Sequence, residues 1–400
     1  MLGEIDFGGD MQLTASHART RSILLVVLVA LSGALALAPS ASARKLATGV
    51  VRSAAVNGTN VYWVSSTRSG LTSVNRIDLA TGAVTTIFTM PGGNSFVEDV
   101  RSGGGRVAFD VFTVSRTHYS STIKVAALDG SGLSDLATGD FSYKNDCGQA
   151  NELIDVSSTG EVFASSLARK HSDVTCGGGA DSDTSAVTGY PAAAGARLVF
   201  QRVGPAGREV ADSMFFRGQV RADNLLLLGT STATAIDLTN NAQATYTRLL
   251  TGSTFLSGSV DASGKVLLGE AIIHRKKVKL KKKKGKKQKY KIVITGRSKL
   301  MSYAGRLNPA SGTSLFDSKK EIAVAEYCGA RIARGTGLFS DDGYFSDVVE
   351  IDAAGNALRG LTPSLDFLPD GLRSCDATNL ILSGYNFKTR KDELQLVPLS

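Results

Sequence analysis

From Arg44 onward, short apolar runs set off by Gly, Asn, Asp and Ser recur along the chain, and no segment sustains a 3.6-residue hydrophobic period. The pattern predicts an all-β chain with two kinds of turn. The first is a tight polar turn entering an apolar strand, as in Asn57-Gly58-Thr59-Asn60 before Val61-Tyr62-Trp63-Val64. It recurs at Gly104-Gly105-Arg106, Thr159-Gly160-Glu161, Ala222-Asp223-Asn224, Ser263-Gly264-Lys265 and Asp376-Ala377-Thr378-Asn379, and more weakly at Gly329-Ala330-Arg331. The second kind caps an outer hairpin, most clearly at Arg76-Ile77-Asp78-Leu79-Ala80-Thr81-Gly82. Related segments follow at 127–132, 236–241, 306–312 and 350–355. In each, an Asp or Asn side chain can bond the turn backbone and a Gly or Asn tolerates positive φ.

Seven such units in the 357 residues after Ala43 give about 51 residues each, near the period of four-stranded propeller blades. The expectation is a β-propeller of seven blades, with six or eight also fitting. Unequal spacing places insertions near 170–195 and 274–292. A tandem of β-sandwiches yields similar strand and turn signals and stays open as the alternative. Trp63, the only tryptophan, reads as core.

The segments Tyr62-Trp63-Val64 and Arg76–Gly82 resemble TolB-like and WD40-like bacterial β-propellers, in which an "x-Ile-Asp-Leu-x-Thr-Gly" turn links the outer strands. The resemblance covers most of residues 50 to 400, with the first unit the best match. It implies a blade and names no catalytic residue. Trp-Asp and Gly-His dipeptides are absent, so the eukaryotic WD40 subclass is not supported.

Residues 1–43 read as an export signal. Arg19 and Arg21 precede the apolar run Ile23–Leu37, which is shorter than the roughly 20 residues a spanning helix needs, and Ala41-Ser42-Ala43 supplies a small-x-small cleavage pattern. Met11 offers a start that drops Glu4, Asp6 and Asp10. The alternative is an uncleaved anchor; after cleavage no transmembrane segment is expected. Export predicts a secreted or envelope-associated protein whose Cys147, Cys176, Cys328 and Cys375 form disulfides. Three connectivities are possible, and proximity favours Cys147 with Cys176 and Cys328 with Cys375. No CxxC pair suggests zinc, and no metal or other cofactor is expected.

Charge sharpens this picture. The chain carries a net +9, yet Arg275, Lys276, Lys277, Lys279, Lys281, Lys282, Lys283, Lys284, Lys286, Lys287, Lys289 and Lys291 supply twelve positive charges in one stretch, so the remainder sums to −3. A uniformly basic nucleic-acid-binding domain is excluded, and no specific nucleic-acid partner is expected. Val278 and Leu280 alternate with lysines before Gly285, as Tyr290 and Ile292 do after it. This predicts a hairpin extending two blade strands, with one apolar and one cationic face. Such a hairpin suits an anionic envelope polymer, lipid headgroups or extracellular DNA; the plain alternative is a solvated edge that blocks strand association.

Catalytic motifs are missing. His118, His171 and His274 lack metal spacing, and no nucleophile elbow, P-loop or dinucleotide fingerprint occurs. The acidic groups Asp181 with Asp183, and Asp341, Asp342 with Asp347, read as turn residues before calcium ligands. The leading reading is therefore a secreted non-enzymatic binding or scaffold propeller, attached to anionic polymer or a protein partner through the lysine-rich hairpin. The alternative is a secreted hydrolase or lyase acting on glycans or lactones. It requires polar side chains from several blades to converge at the central channel, where only apolar and Ser/Thr groups would tell against it.

Overall fold

The computed structural model describes residues 43–67, 69–90, 92–142, 144–170, 182–205, 217–229, 231–279, 290–339 and 344–399. The expected export signal, Cys176, His171, Asp181, Asp341, Asp342 and the lysines from Lys281 to Lys289 lie outside the described residues.

The protein is an all-β propeller. Strand β1 (Arg44–Thr48) is followed by a first meander of β2 (Val50–Asn57), β3 (Asn60–Ser66), β4 (Thr72–Asp78) and β5 (Val84–Met90). The second meander holds β6 (Ser95–Gly103), β7 (Arg106–Val114), β8 (His118–Ala127) and β9 (Ser134–Ser142). The third holds β10 (Cys147–Val156), β11 (Val162–Lys170), β12 (Ser182–Tyr190) and β13 (Arg197–Pro205). The fourth comprises β14 (Arg217–Arg221), β15 (Asn224–Leu228), β16 (Thr232–Asp237) and β17 (Gln243–Thr247). The fifth comprises β18 (Thr254–Val260), β19 (Val266–Lys279), β20 (Tyr290–Tyr303) and β21 (Gly312–Ser318). The sixth has β22 (Glu321–Cys328), β23 (Arg331–Leu338), β24 (Asp347–Ile351) and β25 (Ala357–Gly360). The last has β26 (Phe367–Cys375), β27 (Asn379–Asn386) and β28 (Lys391–Pro398), completed by β1 pairing along β28. All pairings within a meander are antiparallel and in sequence order. The second and third meanders also touch edge to edge, where Cys147 pairs with Ser142 and Gly148 with Phe141.

The first strands form a closed ring: β2, β6, β10, β14, β18, β22 and β26 each contact the next, and β26 contacts β2. Each second strand lies one layer out and is buried on both faces, which explains why it reads as an unbroken apolar run rather than an alternating one. Leu225 and Leu227 pack against Ile154, Phe163 and Val187 of the third meander, whereas Leu226 between them packs against Val260, Val266 and Leu268 of the fifth. Likewise Val61 and Trp63 meet Ile381 and Leu394, while Tyr62 and Val64 meet Val97, Val107 and Phe109. The core is thus divided into wedges between neighbouring meanders, and each large side chain buried there stabilises by roughly 1.5–3 kcal/mol.

Both turn families fall at one end of the blades, because in an antiparallel meander the first-to-second and third-to-fourth connections share an end. At Asp78, Oδ1 accepts from Ala80 N at 2.8 Å and Thr81 N at 3.1 Å, and Gly82 has φ +74°. Gly104 shows why some turn positions admit only glycine. Its φ is +48°, and a Cβ there would stand 2.0 Å from the backbone N of Gly160 in the adjacent turn. The stretch expected to hold an insertion near 170–195 contains β12, so residues 182–190 belong to the third meander. The last meander shows no capped outer turn because its outer strand, β1, comes from the other end of the chain.

Candidate functional site at the propeller axis

The first strands carry a set of charged side chains around the axis, of which Asp155 is the buried one among the described residues. A belt near their turn ends stitches each meander to its neighbour: a side chain of one first strand bonds the backbone of the next. Ser374 Oγ accepts from Val56 N at 3.2 Å, Ser53 Oγ from Val100 N at 3.3 Å, and Asp155 Oδ2 from Val220 N at 2.8 Å. Gln219 Oε1 accepts from Val260 N at 3.0 Å, and Ser259 Oγ from Tyr327 N at 2.9 Å. Between the second and third meanders the sense is reversed, with Arg101 Nε donating to Ile154 O at 3.3 Å. Between the sixth and last the link is covalent, the Cys328–Cys375 disulfide. Cys147 is also disulfide-bonded.

Ion pairs complete the belt. Arg101 Nη2 lies 2.8 Å from Asp99 Oδ2, and Arg221 Nη1 donates to Asp155 Oδ2 at 3.2 Å. Glu326 Oε1 accepts from Gln219 Nε2 at 3.0 Å, with Arg221 Nη2 at 3.7 Å. Arg373 donates to Ser383 Oγ at 2.6 Å and to Arg52 O at 3.1 Å, with Asp370 beside it. Burial pushes the Glu326 carboxyl up, while Arg221 and Arg101 oppose the shift. Behind the belt, Asp110 accepts from Asp99 N at 2.7 Å, and burial and then the nearby Asp99 carboxylate raise it well above the usual carboxylate range. These groups are committed to closing the ring.

Of the charged first-strand residues outside the belt, Glu321 begins β22, and four others, Arg52 on β2, Glu98 on β6, Glu152 on β10 and Arg217 on β14, lie on consecutive first strands. Each of these four sits four or five residues before the end of its strand, one tier above the belt toward the longer loops. Arg52 places its guanidinium 5.1 Å from the Phe96 ring centroid. Burial raises the Glu98 carboxyl, an effect countered by Arg52 and reinforced by Asp99. Burial, with Glu98 adding to it, lifts Glu152 to about 7, and Arg217 acts against both carboxyls. The tier therefore holds Glu152, lifted to about 7, and the more exposed Glu98, raised in the same direction, beside two positive charges. That combination can donate or accept a proton near neutrality and can hold a carboxylate.

The sequence-derived candidates are distributed elsewhere. Arg275, Lys276, Lys277 and Lys279 lie on β19 and Lys291 on β20, away from the first strands; Lys281, Lys282, Lys283, Lys284, Lys286, Lys287 and Lys289 lie outside the described residues. The expectation of one apolar and one cationic face is corrected by the register. Arg275 pairs with Ile294, Lys277 with Ile292 and Lys279 with Tyr290, so cations and apolar residues share a face as adjacent columns. Directly opposed residues of an antiparallel pair project to the same side, and alternation within each strand is out of step between the two. Asp183 is committed to Arg169, 2.8 Å from its Nε. Burial raises Asp347, which is partly offset by its bonds to Val348 N and Thr362.

His118 lines a separate cavity of about 500 Å³ with Asp140, Gln149, Arg169 and Lys170, at the outer junction of the second and third meanders. Its arginine is held by Asp183 at 2.8 Å and by Asp146 at 2.6 Å. The axial residues escaped sequence reading because each stands in a different strand, far from the others along the chain. The signal that could have found them is register: aligned on the first-kind turns, Arg52, Glu98, Glu152 and Arg217 occupy nearly the same position.

No protein-family model and no characterised protein matches the sequence. Solved structures match in fold. The acylaminoacyl peptidase of Pyrococcus horikoshii superposes with a TM-score of 0.52 at 12% identity, over 86% of this chain and 50% of that one. A prolyl endopeptidase gives 0.50 at 10% identity, over 88% and 50%. This chain thus spans about half the length of both peptidases. The β-propeller domain of the Trilobed protease from Pyrococcus furiosus gives 0.51 at 12% identity, over 89% and 94%. That domain has an open velcro topology, whereas here β1 zips onto β28; at these identities the likeness establishes the propeller fold alone.

Proposed function

We propose that the chain is an exported, seven-bladed propeller enzyme of the TolB-like kind that cleaves an anionic glycan at its axis. One observation carries this: Glu98, Glu152, Arg52 and Arg217 converge from four first strands while every neighbouring charge is engaged in the belt. Arg52 and Arg217 are matched to a uronate carboxylate, whose neutralisation acidifies the adjacent C–H. Glu152, poised near neutrality, takes that proton; the electron pair forms a C=C bond as the glycosidic C–O bond breaks, and the leaving oxygen takes a proton from Glu98. Export is supported by the amino-terminal sequence and by the Cys328–Cys375 disulfide, which suits an oxidising compartment.

The test is incubation with polyuronates, reading the ultraviolet absorbance of the unsaturated product. Activity should be lost in Glu152→Gln with the fold retained. Absence of product from the unaltered protein across uronate polymers would overturn the reading.

A second reading, a binding propeller attached to an anionic extracellular surface or partner, is favoured by the cationic hairpin stem on β19 and β20. The two roles can coexist on one molecule.

A further inference from the structure

Strands β19 and β20 are paired from Val266 with Tyr303 to Lys279 with Tyr290. Their neighbours stop short: β18 reaches only Ala271, and β21 only Ser298. From Ile273 to Lys279 the pair therefore runs on as a two-stranded ribbon, roughly 20 Å long at the ordinary rise per residue. On one face Lys277 and Lys279 stand beside Ile292 and Tyr290, the latter two 56% and 46% exposed. Lys277 Nζ lies 4.7 Å from the Tyr290 ring centroid, across the diagonal of that face. Ile273, on the same face, adds exposed apolar surface.

Lysines alone satisfy a soluble polyanion or a solvated protective edge, and neither explains why isoleucine and tyrosine are displayed beside them. An anionic bilayer surface uses both columns. Its phosphates attract the ammonium groups, while the isoleucine and the amphipathic tyrosine enter the headgroup boundary. We infer that the β19–β20 ribbon is a membrane-surface anchor specific for anionic phospholipid, with Lys277 and Lys279 on headgroup phosphates and Tyr290 and Ile292 inserted. This rests on the attachment reading above and narrows it to lipid.

Co-sedimentation of the full chain with phosphatidylglycerol vesicles, phosphatidylcholine vesicles and soluble polyuronate tests it. Binding is expected to phosphatidylglycerol alone among the vesicles. Replacing Lys277 and Lys279 with Ser should weaken it roughly 25-fold at low salt, at about fivefold per lysine. Replacing Tyr290 and Ile292 with Ser should weaken vesicle binding roughly tenfold, and leave binding to polyuronate unchanged. An unchanged melting temperature confirms that each variant folds. If the Tyr290/Ile292 variant binds vesicles as the parent does, the lipid inference fails while the attachment reading stands; if neither vesicles nor polyuronate bind the parent, both fail.

Discussion

Around the axis, Arg101 and Arg221 stand 2.8 and 3.2 Å from Asp99 and Asp155, inside a ring of strands. On the ribbon, Lys276, Lys277 and Lys279 project into solvent with no described carboxylate at ion-pair distance. The same kind of group thus serves opposite ends. Charge removed from water must be answered by opposite charge and hydrogen bonds, and so becomes part of what closes the ring. Charge left in water needs no answer and adds little to the fold, which leaves it available to a partner. Between these extremes lies the axial tier of Glu98, Glu152, Arg52 and Arg217, half-buried at Glu152 and open to solvent at the other three, yet not tied into the belt.

Asp155 gives the largest contrast. It bonds Val156 N at 2.9 Å, Val220 N at 2.8 Å and the Arg221 guanidinium, spanning two meanders while buried. Asp155→Ala leaves the buried Val220 amide without its acceptor, while Arg221 keeps Val220 O and Glu326, and should destabilise by about 2–3 kcal/mol in urea unfolding. A loss below about 1 kcal/mol would show that the belt is decorative and dissolve the contrast with the ribbon.

Glu152 comes next. Its carboxyl titrates at about 7 in the fold, against 4.5 as its ordinary value, so between those pH values the folded state holds a proton that the unfolded chain has released. Stability should therefore fall as pH rises from about 4.5 to 7 and level off above. Allowing for solvent in the channel, the loss is on the order of 1–2 kcal/mol. Glu152→Gln should remove that slope, as chemical denaturation at a series of pH values would reveal. A smaller effect follows at Arg217, whose positive charge holds both acids down. Arg217→Met should move the Glu152 titration further up, visible by NMR of the side-chain carboxyl; a downward move would separate the two residues in space.

The propeller was legible because its signals are local. A second strand buried on both faces is an unbroken apolar run, as in Leu225–Leu228, and a turn that needs positive φ displays Gly82 or Gly104. The hairpin was legible for the same reason, since its lysines are contiguous. Its faces were not, because register belongs to two strands: pairing Lys277 with Ile292 placed apolar and cationic columns side by side, where alternation within one strand suggested separate faces. The axial tier was the least legible. Arg52, Glu98, Glu152 and Arg217 are scattered over 166 positions, and only the closure of the ring makes them neighbours.

The smallest expected effect bears hardest on the ribbon. Replacing Lys276, Lys277 and Lys279 with Ser removes no hydrogen bond needed by the fold, so stability should change by less than about 0.5 kcal/mol. The sign is informative. Like charges on adjacent strands repel, so at low salt the replacement should slightly stabilise, and the gain should vanish once salt shortens the screening length to a few ångströms. The belt behaves differently, because enclosed pairs are screened far less than exposed ones. Urea unfolding of both variants at low and high salt therefore separates the regions directly. A ribbon variant destabilised at every salt concentration would mean that its lysines support the blade, and that their surplus charge is structural rather than held in reserve for a surface.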